Sequence, residues 1–164
     1  MKRKLVNGSM QRVLLALGTL VAAGVLAPTS ATAPTAVANG GGNGTFDGSA
    51  PGSHFGFGVV FGSPASGHFE CNMAGNAPFG GLHLMAVEGQ VEAGAANTVA
   101  GTGWFSGPGT LHIDSQKMPV IFYVTVTDGG PGVGTLQLTV TTPSGAPVAA
   151  FKPETVLKGQ IDIH

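Results

Sequence analysis

Charge is scarce in this chain: Asp, Glu, Lys and Arg together make up 9% of its 164 residues. Both arginines, Arg3 and Arg12, lie at the extreme N-terminus. From Val13 onward the only fixed cations are Lys117, Lys152 and Lys158, set against eight carboxylates, a formal charge of −5. Phosphate recognition needs clustered Lys and Arg, so no nucleic-acid partner is expected. Adsorption to an anionic membrane is not expected, for the same reason. Cysteine is almost absent as well. With Cys71 alone there is no intrachain disulfide, and no paired-cysteine metal motif exists. The chain has one Trp and one Tyr. It also lacks a Gly-x-Ser-x-Gly elbow and any Cys–His signature, so the expectation leans away from an enzyme.

Present instead is a strongly ordered N-terminus. Lys2, Arg3, Lys4 and Arg12 form a basic head, Val13 to Ala27 is uncharged, Pro28 breaks the run, and small residues follow. That order matches a secretory signal peptide. The apolar run is shorter than the ~20 residues needed to span a bilayer, so no stable membrane insertion is expected after processing. Ala31-Thr32-Ala33 and Ala36-Val37-Ala38 both offer a small-x-small site. Pro34 follows the first, and its ring disfavours the extended geometry a protease requires. Cleavage is therefore expected after Ala38, giving a secreted or periplasmic protein. The expected organisation is a signal peptide over residues 1–38, a flexible Gly-rich leader over 39–52 and one β-domain over 53–164.

From His54 the pattern has period two, broken by Gly and Pro. Phe55, Phe57, Val59 and Phe61 alternate with small residues; Phe69, Cys71 and Met73 alternate with His68, Glu70 and Asn72. Such alternation places one set inside and the other outside on half-buried strands. Cys71 is accordingly expected inside, as are Phe55, Phe57, Phe61, Phe69 and Phe122. Val120 to Thr127 is apolar on both parities, which predicts a central strand covered on both faces. Asp128 to Gly134 is turn chemistry, predicting a hairpin between this strand and Thr135 to Thr142. No window after the signal has a helical period. The fold class is all-β, a single-domain antiparallel β-sandwich or β-barrel following the signal peptide.

Candidate sites are few. Gly129 to Thr135 (GGPGVGT) is glycine-rich, but it lacks the Lys of a phosphate loop and leads into a strand. His68 with Glu70 and His112 with Asp114 each place an imidazole and a carboxylate on one strand face, and His83 could join from another strand. Those donors suit a divalent metal, although His and acid are also ordinary residues on an outward face. Trp104 and Phe105 lie beside Gly103, Ser106 and Gly107, where an exposed sugar-stacking platform could form. Core packing is the plainer role for most of the phenylalanines.

Four stretches belong together: ASGHFECNMAG (Ala65 to Gly75), LMAVEGQV (Leu84 to Val91), TVTDGGPGVGTLQLTV (Thr125 to Val140) and VLKGQIDIH (Val156 to His164). Together they resemble a group of small exported bacterial β-proteins, described in part as the domain that follows a choice-of-anchor segment in cell-surface proteins. The resemblance implies an exported β-domain and brings no activity or site residues with it. The expected function is an exported, non-enzymatic β-module that binds an unknown protein or cell-envelope component. The alternatives are a small metal-binding protein or metalloenzyme, with a divalent metal on His68, Glu70, His83, His112 and Asp114, and a carbohydrate-binding module. No other cofactor is expected.

Overall fold

The structure, a computed structural model, describes residues 35–74, 84–113 and 115–164. They form ten strands in chain order: β1 (Ala36–Thr45), β2 (Ser53–Phe61), β3 (Ser66–Ala74), β4 (Leu84–Val91), β5 (Ala93–Asn97), β6 (Thr102–Ile113), β7 (Gln116–Thr127), β8 (Thr135–Thr141), β9 (Pro147–Ala150) and β10 (Glu154–Ile163). All pairings are antiparallel, and strands pair mainly with their sequence neighbours. The path runs β10-β1-β2-β3-β4-β6-β7-β8, and β10 returns to β8 through Glu154 opposite Leu136 and Thr155 opposite Thr135. Of the two all-β architectures the sequence allowed, the chain therefore builds the barrel. Closure leaves few free strand edges to pair with other chains.

Ten strands make eight staves because two staves are interrupted. β4 pairs with Gly109–Ile113 of β6 and β5 with Thr102–Ser106, with the break at Glu92, whose N–H donates to the Ser106 carbonyl. β9 and β10 likewise share β8, and the Phe151 N–H donates to the Leu138 carbonyl between them.

Alternation fills the interior as expected. Phe55, Phe57, Val59, Phe69, Cys71, Leu111, Val120, Phe122, Val124, Leu138 and Ile161 are all buried, and Phe105, expected at the surface, is buried with them. Phe61 is half-buried against this core. Phe105 links Phe57 (ring centroids 5.1 Å apart) to Phe69 (5.8 Å), and Phe69 reaches Phe122 at 5.2 Å. Each such ring contributes roughly 1.5–3 kcal/mol by leaving water. The hairpin between β7 and β8 forms over Asp128 to Gly134 as expected.

Two expectations need correction. The Gly-rich segment after residue 38 is not a loose leader: up to Thr45 it is β1, bonded to β10 on one side and β2 on the other. Its glycines make room for neighbours. A Cβ on Gly40 would overlap the Phe57 ring, and one on Gly44 would overlap the Glu154 carboxylate. The flexibility implied by composition is removed because both strand edges are hydrogen-bonded. β1 also begins at Ala36, ahead of the expected cleavage point. Val37 and His164 exchange backbone hydrogen bonds of 2.7 and 3.0 Å, and Ala38 is fully buried. The rest of the expected signal peptide, residues 1–34, lies outside the described residues.

The second correction concerns β7. Its inward residues are buried, but Ile121 and Tyr123 remain 36% and 41% exposed. A barrel is a single layer, and among the described residues no second sheet covers its outer face.

Candidate functional site

Three places combine reactive or recognition chemistry, and the first is internal. Glu154 opens β10 at an inward position and is 1% exposed. Ser53 Oγ, at the start of β2, donates a hydrogen bond to Glu154 Oε2, while Oε1 has no partner among the described residues. Burial pushes the carboxyl pKa up from 4.5 to about 7, opposed only by the Ser53 bond. Cys71 is held protonated by its own burial and, secondarily, by the Glu154 charge. The thiol is thus a packing group, as its parity predicted, and no reactive nucleophile. Sequence reasoning misses Glu154 as an inward residue. The signal is present, because Glu154 shares parity with buried Val156.

The second place lies on the outer face of β3, β4 and β6. His68 and Glu70 project together from β3, and His112 from β6. His83 and Asp114 lie outside the described residues. Glu70 stands directly opposite Glu88 across the β3–β4 ladder, and His112 Nε2 lies 3.0 Å from Glu88 Oε1. Glu70, Asn72, Ala86, Glu88 and His112 line a shallow cavity of about 320 Å³. His68, opposite Gln90, lines an adjoining groove together with Glu70, Glu88 and Glu92. The contact of His112 with Glu88 runs across strands, where spacing in sequence gives no hint of it. Among the described residues no three His, Cys, Asp or Glu side chains converge as metal ligands.

The third place is on the other half of β6. Trp104 and Tyr123 stack at 5.5 Å between ring centroids with 19° between planes. Thr125 stands directly opposite Trp104, and Ser106 opposite Tyr123, so the two rings meet diagonally across the β6–β7 ladder. Diagonal neighbours at this distance are within reach for large rings. Beside them runs an open groove of about 450 Å³, where Asn97, Thr102, Thr125 and Thr127 accompany the rings and the small residues Ala95 and Gly103. None of its lining residues is charged. Phe105, expected as the second platform ring, is instead fully buried against Phe57 and Phe69. Consecutive strand residues point to opposite faces, so Trp104 and Phe105 cannot share a surface.

No family model, curated protein or solved structure matches the chain.

Tyr123 is the ring that sequence reasoning misses. Apolar residues on both parities of Val120 to Thr127 suggest a covered strand, whereas here they mark an exposed patch.

Proposed function

We propose that this protein is an exported, non-enzymatic binding module of the cell envelope or its surroundings, and that the outer face around Trp104 and Tyr123 is its binding surface. One observation carries the reading. The chain's only Trp and only Tyr lie on the paired strands β6 and β7 and stack on each other at the surface. Aromatic side chains combine large apolar area with a polar tip, and an exposed stacked pair beside a groove is a common form of recognition surface. Export is supported by the basic head, apolar run and small residues of the N-terminus, together with the resemblance to exported β-domains. Processing after Ala33 keeps all of β1, whereas processing after Ala38 removes Ala36 to Ala38 from it. The N-terminal mass of the secreted protein distinguishes the two.

The test is co-sedimentation of the full chain with isolated envelope material. The wild type is expected in the pellet and Trp104→Ala in the supernatant. Equal sedimentation of both proteins would remove this surface from the function.

A second reading rests on the charged patch. Like charges directly opposite on a ladder are destabilising, and Glu70 faces Glu88 in this way, with His112 alongside. A divalent cation would relieve that repulsion; since no three ligands converge among the described residues, it would have to draw Glu70 and Glu88 together beside His112. Melting temperature with chelator and then with Zn or Mn tests it: a metal-specific rise absent from Glu88→Gln supports the site, and a flat response removes it.

A further inference from the structure

Resting on the binding surface proposed above, we infer that its ligand is an uncharged polysaccharide, held by stacking of a sugar ring on the Trp104–Tyr123 pair. Four features of the surface point to this class. First, the rings are mutually fixed. At 5.5 Å and 19° they support each other, and their exposures of 36% and 41% leave ring area open to solvent. The axial hydrogens of a pyranose form an apolar, weakly positive face that suits the electron-rich face of an indole or phenol.

Second, the surroundings are polar without being charged. Asn97, Thr102, Thr125 and Thr127 line the groove, and neither the Trp104 indole N–H nor the Tyr123 hydroxyl has a hydrogen-bond partner among the described residues. A ligand covered in hydroxyls can satisfy these groups, whereas an apolar chain would bury them unpaired at a cost. Third, the groove lacks lysine altogether, so an anionic polymer would find no cation to offset its desolvation. The many carboxylates of the chain add repulsion at longer range.

Fourth, the shape is open. The groove lies along the outer face of three strands and is bordered by the β5–β6 hairpin, where the Asn97 side chain accepts hydrogen bonds from the Val99 and Ala100 N–H groups. An open groove admits the middle of a long chain as readily as its end. The small side chain of Ala95, directly opposite Trp104, keeps its floor low beside the rings.

Trp104 is the sole tryptophan, so its emission reports the site directly. The full chain is titrated with cellohexaose, chitohexaose, soluble mannan and soluble starch, with polygalacturonate as the anionic comparison. At least one neutral glycan is expected to shift the emission and protect it from acrylamide, with polygalacturonate at least tenfold weaker. Tyr123→Ala is expected to weaken that response tenfold or more. Affinity electrophoresis of Trp104→Ala, which has no tryptophan emission, is expected to show no retardation, and Trp104→Phe partial retardation. Thermal melting of each variant separates lost binding from lost folding.

Absence of response to all four neutral glycans, undiminished binding by Tyr123→Ala, or equal binding of polygalacturonate would each overturn the inference. If envelope co-sedimentation still depends on Trp104 while these glycans fail to compete, the binding surface stands and the ligand class does not. If Trp104→Ala sediments like the wild type, the surface itself is wrong.

Discussion

The two halves of β6 share one interior and carry opposite exteriors. Toward Thr102, the strand pairs with β5 and shows Trp104 to solvent, in an uncharged aromatic groove. Toward Ile113, it pairs with β4 and shows His112, beside Glu88 and Glu70. Inside, Phe105 and Leu111 are both fully buried in the same core. The difference arises at Glu92, where the partner stave breaks and β5 takes over from β4. Alternation thus separates two jobs on one strand. Inward residues hold the barrel, and outward residues are free to differ between neighbouring patches without cost to the fold.

The largest expected effects lie where the halves are alike. Phe105→Ala should cost about 3–5 kcal/mol and Leu111→Ala about 2–5 kcal/mol in denaturant unfolding, because each leaves a cavity in a closed interior. A cost under about 1 kcal/mol for either would mean that its half of the barrel is not packed as described.

Glu154 comes next, as the one buried carboxyl among the described residues. Its pKa rises from 4.5 to about 7 on folding, so the folded protein keeps a proton that the unfolded chain releases between those values. This contribution is fully present below pH 4.5, falls as pH rises toward 7, and is level above that. A tenfold difference in proton affinity between the folded and unfolded chain is worth about 1.4 kcal/mol, so the loss is on the order of 3 kcal/mol. The difference in stability between wild type and Glu154→Gln should therefore change by that amount across pH 4.5–7. Ser53→Ala removes the hydrogen bond that opposes the rise in pKa, and should carry the loss to higher pH. Parallel pH profiles for wild type and Glu154→Gln would show the carboxyl to be solvated. In the same interior, Cys71 should resist alkylation until the protein unfolds, with no reaction in native buffer over the time that the denatured chain reacts fully.

Where the halves differ, effects on stability should be small. Trp104→Ala should change stability by less than about 1 kcal/mol, since the ring is not part of the core, while binding falls as described above. A large destabilisation would make Trp104 a structural residue and blur the contrast between its two faces. Smallest of all is the charged patch. Glu70→Gln should stabilise by a few tenths of a kcal/mol by relieving the repulsion from Glu88, and His112→Ala should cost no more than about 0.5 kcal/mol. Precise thermal melts in low salt and again in high salt check both, with the Glu70 effect shrinking as salt screens it.

Particular residues show how far the sequence reaches. Alternation through Phe55–Phe61 and Phe69–Met73 places the core and buries Cys71, because a half-buried strand writes its burial directly into its period. The same rule places His68 and Glu70 on the outside. It fails at Asn39–Thr45, where glycines carry no pattern to read, and at Phe105, where an aromatic beside turn residues reads as a surface ring. The contacts of His112 with Glu88 and of Trp104 with Tyr123 join residues on different strands, and strand register is not written in residue spacing.

By itself, the sequence determined an all-β domain, most of its inward residues and a low content of charge, because each follows from local period and composition. Tertiary structure alone decided three further things: that the sheet closes into a barrel, that Glu154 is sealed inside against Ser53 and Gly44, and that the single Trp and single Tyr meet. Each depends on which strands lie side by side and in what register, a property of the closed sheet and of no single segment.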